Sequence, residues 1–134
     1  MRVLALDYGS ARCGCAVSDP TGTLATPIEP VLRPATRKGL ARISGLVRER
    51  AIERVVVGLP LSLSGGDSAQ TAETRAFAAR LAERLDVPVE LYDERFTTLM
   101  ASRDPGDPVA SEDSRAAAHL LSDWLATRAT REAG

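Results

Sequence analysis

Four acidic residues fall where a fold can gather them. Asp7 ends the apolar run Val3 to Leu6 and precedes the turn Tyr8-Gly9-Ser10-Ala11-Arg12. Asp93 and Glu94 close a second apolar stretch, Val89 to Tyr92. Asp113 opens the last amphipathic segment. Carboxylates without His or Cys among them are hard oxygen donors, and they select magnesium or manganese. Sharing a site without a cation, such acids repel one another, and some must take up protons. With one or two divalent ions held about 3.5–4 Å apart, they suit activation of a water and stabilisation of the leaving oxygen in phosphodiester hydrolysis. Each acid also has an ordinary role. An Asp at a turn caps it, and an acid in a first helical turn is favoured by the helix dipole. Neighbours in a strand point to opposite faces, so only one of Asp93 and Glu94 can join Asp7. Spacing leaves both open.

The elements that would position these acids are legible. Val3 to Leu6 and Cys13 to Val17 are two β-like runs separated by a short polar turn, which reads as a hairpin. Asp7 then lies at the tip of a central strand. Thr21 to Pro34 holds Pro27, Pro30 and Pro34, which restricts it to an edge strand or an irregular crossing. Thr36 suits a helix N-cap. From Arg37 to Arg50, Leu40, Ile43, Leu46 and Val47 form a helical apolar stripe. The opposite side carries Arg37, Lys38, Arg42, Arg48 and Arg50, diluted by Glu49 and Glu53, and reads either as a solvated face or as one that lies along phosphates. Val55, Val56 and Val57 suggest a strand covered on both faces, hence parallel pairing.

The loop Ser62 to Asp67 has the composition of a flap but lacks the Gly-Lys-Ser/Thr of a nucleotide-binding loop. Asp67 or Ser68 can cap a helix whose stripe is Thr74, Phe77, Leu81 and Leu85, with Ala78 and Ala82 allowing close packing. Thr97 to Arg103 suits about two helical turns, and Asp104 to Glu112 is a loop by composition. The last helix spans roughly Ser111 to Arg128, with Ala117, Leu120, Leu121, Trp124 and Leu125 inward, His119 beside the stripe, and Thr127 to Gly134 as a frayed tail. Asp113 stands four residues before Ala117, so it shares the sheet-facing side. An acid there needs a cation or a hydrogen bond.

Bulk properties narrow the class. The 134 residues suit one domain, 1–134, with a single core, and 44% hydrophobic and 26% charged residues are ordinary for a globular protein. No run approaches a membrane span, and Asp7 breaks the N-terminal apolar run too early for a signal peptide, so a cytoplasmic protein without membrane partners is expected. A net charge of −1 confines any nucleic-acid binding to local patches. Cys13 and Cys15, two apart on one strand, share a face, cannot form an ordinary disulfide there, and read as small buried hydrophobes.

Four stretches resemble one family in its order: LALDYGSARCGCAVSD, VVVGLPLSLSGG, YDERFTT and EDSRAAAHLLSDWL resemble the motifs of the YqgF family, also called RuvX. The resemblance implies an α/β, RNase H-like fold: a five-stranded mixed sheet, three antiparallel strands then two parallel ones, with helices on both faces. It places the family's acidic triad on Asp7, Glu94 and Asp113, favouring Glu94 over Asp93. Gly9 and Gly14 match the family's glycines. Arg12, Arg95 and Arg115 are the expected nucleic-acid contacts. The implied activity is a metal-dependent nuclease, using magnesium or manganese, that matures the 5′ end of pre-16S ribosomal RNA. The alternatives are a Holliday junction resolvase on branched four-way DNA, and a non-catalytic nucleic-acid-binding or assembly factor. A monomer or weak homodimer is expected; a resolvase, which cuts two strands symmetrically, requires a two-fold dimer. A sugar kinase or actin-like ATPase also opens on an acid–glycine hairpin, but needs two such domains.

One departure from the family stands out. Leu99 to Glu112 is short and carries Asp104, Asp107 and Glu112 against Arg103, where family members have a fuller helix and a basic loop. Sequence-independent affinity for nucleic acid comes mainly from phosphate contacts. Those contacts must then come from Arg12, Arg95, Arg115 and the helix that begins near Arg37.

Overall fold

A computed structural model of the chain describes residues 1–59, 69–93 and 112–133. Five strands, β1 (Val3–Asp7), β2 (Arg12–Ser18), β3 (Ala25–Leu32), β4 (Arg54–Leu59) and β5 (Val89–Asp93), form one sheet in the order β3-β2-β1-β4-β5. The first three pair antiparallel, while β4 joins β1 and β5 joins β4 in parallel. The expected mixed sheet is therefore present. The parallel register runs Leu6–Val57 and Leu59–Asp93, so β1, β4 and β5 all end at one edge of the sheet.

Alternation divides the strands between two cores. Leu4, Leu6, Cys13, Cys15, Val55 and Val57 pack with α1 (Arg37–Glu49) and α2 (Ala69–Arg84) on one face. Val3, Ala5, Ala16 and Val56 pack with Ala117, Leu120, Leu121 and Trp124 of α3 (Glu112–Ala133) on the other. The Val55–Val57 run is covered on both sides because its neighbours serve different cores. Cys13 and Cys15 are free and fully buried on one face, as their spacing requires.

Local chemistry sets the boundaries. β3 lies at the sheet edge, where Pro27 and Pro30 are tolerated, so the edge-strand reading holds over the irregular crossing. Thr36 caps α1, its Oγ1 accepting the Gly39 N–H at 3.1 Å. The other end of α1 closes with Ala51 at φ 52°, its N–H on the Arg48 carbonyl and the Ile52 N–H on the Val47 carbonyl. This is a Schellman closure with alanine at the left-handed position that glycine usually fills. Left-handed alanine costs about 1–2 kcal/mol, and glycine's extra chain entropy returns part of the gain. Ala51→Gly is therefore expected to stabilise the fold by about 0.5–1 kcal/mol, read as a Tm raised by a few degrees.

Two details differ from expectation. Ala82 is exposed and does not contribute to the α2 seam, which Thr71, Thr74, Phe77, Ala78 and Leu81 make. Thr74 is accommodated there because its hydroxyl donates to the Gln70 carbonyl at 2.8 Å. The segment from Thr127 is not frayed, and α3 continues to Ala133. Thr127 Oγ1 donates to the Asp123 carbonyl at 3.0 Å, Arg128 stacks 5.3 Å from the Trp124 ring centroid, and the sequence up to Ala133 holds no Gly or Pro to stop a helix.

Candidate active site

Asp7 is the last residue of β1 and has the alternation of Val3 and Ala5, which puts it on the α3 face at the edge where the parallel strands end. Its register partner across the hairpin is Gly14 of β2. A Cβ on Gly14 would overlap the carbonyl group of Asp113 and come within 2.8 Å of the Ser114 amide nitrogen. The first turn of α3 thus lies directly on the backbone of Gly14. Ser114, fully buried, fixes the contact by accepting the Cys15 N–H at 3.2 Å, beside the register break between β2 and β3. Asp7 and Asp113, distant in sequence, are brought together through one glycine.

The electrostatics agree with this placement. The Cys13 thiol is pushed well above its ordinary pKa by its contact with the Cys15 thiol, then by burial, and further by the charges of Asp7 and Asp113 together. Both carboxylates therefore act on one point of β2. Among the described residues no group of three His, Cys, Asp or Glu side chains forms a metal site. Asp7 and Asp113 bring hard oxygen donors to this end of the sheet; the cysteines belong to the opposite face, and His119 is half-buried further along α3.

The remaining expected site residues divide. Glu94 and Arg95 lie outside the described residues, as do the 60–68 loop with its capping candidates and the 94–111 segment. Asp93 is described, and alternation gives it the face of Val89, whereas Tyr92 has the face of α3 and donates to Asp123 at 2.8 Å. Asp93 is therefore turned away from the Asp7 face. Arg12 is exposed and has the alternation of Gly14, which puts it on the Asp7 face, one pleat further out. Arg115 is half-buried and about 100° around the helix from the docked Ser114, so it starts away from the β2 contact.

Tyr8 contributes a support that residue types alone did not single out. It faces away from Asp7, stacks on Phe77 with ring centroids 4.5 Å apart, and donates to Glu73 at 2.7 Å. This ties the tip of β1 to α2. Its position directly after Asp7 in an alternating strand was the available signal. Burial, then the hydrogen bond to Glu73 and its charge, push the Tyr8 pKa up to about 12. The unfolded chain releases this proton near pH 10. The folded state therefore holds it longer, and the associated stability is complete below pH 10 and lost as pH rises through about 12. Tyr8→Phe is expected to flatten the decline in stability between those values, measured by urea unfolding across the alkaline range.

Comparison with known proteins places this arrangement. Residues 1–127 match a family model described as RuvX: Holliday junction resolvase. A relative from Mycobacteroides abscessus is 43% identical over 136 residues, covering 95% of this chain and 82% of its own. Another, from Mycolicibacterium paratuberculosis, is 41% identical over 143 residues, covering 99% and 86%. Both carry the name "Putative pre-16S rRNA nuclease". Both aligned lengths exceed the 134 residues of this chain, so each relative has residues that this chain lacks. Among solved structures, Thermus thermophilus RuvC superposes with a TM-score of 0.61 at 18% identity over 97% of both chains. The same protein in complex with a Holliday junction substrate gives 0.60 at 17% identity over 96% of both. At that identity the likeness establishes the RNase H-like fold.

Proposed function

Because the chain belongs to the RuvX family, we propose that it is a metal-dependent nuclease whose substrate is structured RNA, the 5′ region of pre-16S ribosomal RNA, with Asp7, Glu94 and Asp113 as its carboxylates. The observation that carries this reading is the docking of α3 on Gly14, which sets Asp113 beside Asp7 at the sheet edge. Glu94 is preferred to Asp93 because it matches the family's motif and because Asp93 has the face of Val89. Three carboxylates with hard oxygen donors fit magnesium or manganese. Bound there, such ions supply water activation and charge neutralisation for phosphodiester hydrolysis. Asp7 holds its place through the β1–β2 register and the Tyr8 anchor, and Asp113 through Gly14 and Ser114. Arg12, exposed on the same face, is placed to orient a phosphate of the substrate.

The family's description favours a second reading, resolution of four-way DNA junctions. One assay separates the two. Labelled RNAs spanning the 5′ region of the 16S precursor and a synthetic four-way junction are incubated with protein and manganese, magnesium or EDTA. Cutting of RNA that needs metal supports the proposal. Paired symmetric nicks in the junction, made by a two-fold dimer, replace it with the resolvase reading. No cutting of either substrate by folded protein leaves a non-catalytic factor.

A further inference from the structure

The outward face of α1 is not used by this reading. Its buried side is Gly39, Leu40, Ile43, Leu46 and Val47. The other side exposes Arg37, Lys38, Arg42 and Arg48, with Ala41, Ser44 and Gly45 between them and Glu49 as the one acid. Among the described residues none of the four cations pairs with a carboxylate. A net charge of −1 makes this concentration local, and the face has no large apolar side chain with which to dock a protein core. Small residues between cations let a phosphate backbone approach closely.

The face is also continuous with the site edge. Arg12 pairs with Leu32 across β2 and β3, the next residue, Arg33, donates its N–H to the Ala11 carbonyl at 2.9 Å, and α1 begins four residues later. The exposed cations Arg12, Arg33 and Arg37 therefore lead from the Asp7 face round the end of the sheet onto α1. From Arg37 to Arg48 the helix advances about 16 Å. It ends at a groove of about 490 Å³, where Arg84 of α2 stands with Arg48, and Asp86 also lines the wall.

We propose that the outward face of α1 is a second phosphate-binding surface, which holds the RNA strand flanking the segment in the carboxylate site. The proposal rests on the reading of RNA as substrate. The test measures binding in EDTA, so that cutting does not interfere, by fluorescence anisotropy over a range of salt concentrations. It uses a single-stranded RNA of about 4 nucleotides, near the smallest single-strand footprint, and a hairpin with long flanking strands. Arg42→Gln with Arg48→Gln is expected to weaken binding of the long RNA about tenfold and to reduce its salt slope by about 1.4, while the short RNA is unaffected. The charge-preserving pair Arg42→Lys with Arg48→Lys is expected to restore the slope. Unchanged binding of the long RNA overturns the proposal, since the face is then only solvated. Equal weakening of both RNAs overturns it too, because that is the effect of net charge alone. Wild-type protein that binds neither RNA removes both this surface and the RNA reading. Wild-type protein that binds the long RNA through α1 but cuts nothing with manganese keeps the surface and loses the nuclease.

Discussion

Gly14→Ala is expected to cost about 3 kcal/mol of stability, the upper part of the range for overpacking a closed contact. The added methyl meets main-chain atoms of Asp113 and Ser114, which cannot swing aside as a flexible side chain does. Either β2 bends or the first turn of α3 lifts. Lifting breaks the 3.2 Å bond from the Cys15 N–H to Ser114, leaving a buried donor without its acceptor. The same movement takes Asp113 from Asp7, and a misplacement of about 1 Å at a catalytic group costs on the order of 100-fold in rate. Urea unfolding and RNA cleavage, both run at low temperature to keep the variant folded, should therefore fall together. Unchanged stability and cutting would show that α3 need not rest on this glycine.

Asp7→Asn is expected to separate these two quantities. The amide keeps the shape of the carboxylate but loses its charge and its strength as a metal ligand. Losing even an outer partner of a metal site costs about 10–100-fold, so losing the direct ligand proposed at Asp7 should reduce cutting by more than about 100-fold. Stability should change little, because the amide keeps the volume of the carboxylate and its Oδ1 can still accept a hydrogen bond. Manganese should raise the Tm of the wild type, by linkage to the folded state, and leave that of the variant unchanged. A variant that cuts normally would remove Asp7 from the chemistry and favour the non-catalytic reading.

Much of the architecture was legible because hydrophobic periodicity is strong in this chain. The Val3–Leu6 run, the unbroken valines at 55–57 and the α3 stripe each have one reading that buries them. The docking of the first turn of α3 on the sheet was legible for the same reason, since Ala117 fixed which side of the helix faces it. What periodicity does not encode is contact between backbones. Gly14 was readable as a family glycine, but its role as the seat of Asp113 depends on how closely a distant helix approaches. Ser114 gave no signal, because a serine in a first helical turn is ordinary, and its hydroxyl matters only where it meets the Cys15 N–H. The helical course beyond Thr127 was missed because it rests on side-chain pairs, Thr127 with Asp123 and Arg128 with Trp124, that polarity alone does not reveal.

The division into two cores has a consequence for when activity arises during synthesis. Among the described residues, the core under α1 and α2 draws on none later than Val89, so these can consolidate before α3 has been made. The second core includes Ala117 to Trp124 and waits for the end of the chain. Domains fold as units while the chain lengthens from its N-terminus. A nascent chain can thus carry a formed sheet with Asp7 in place and still have no partner for it. Asp7 and Asp113 meet only when α3 closes over Gly14, so on the proposed assignment of the site a truncated or unfinished product is held inactive by the order of its own sequence.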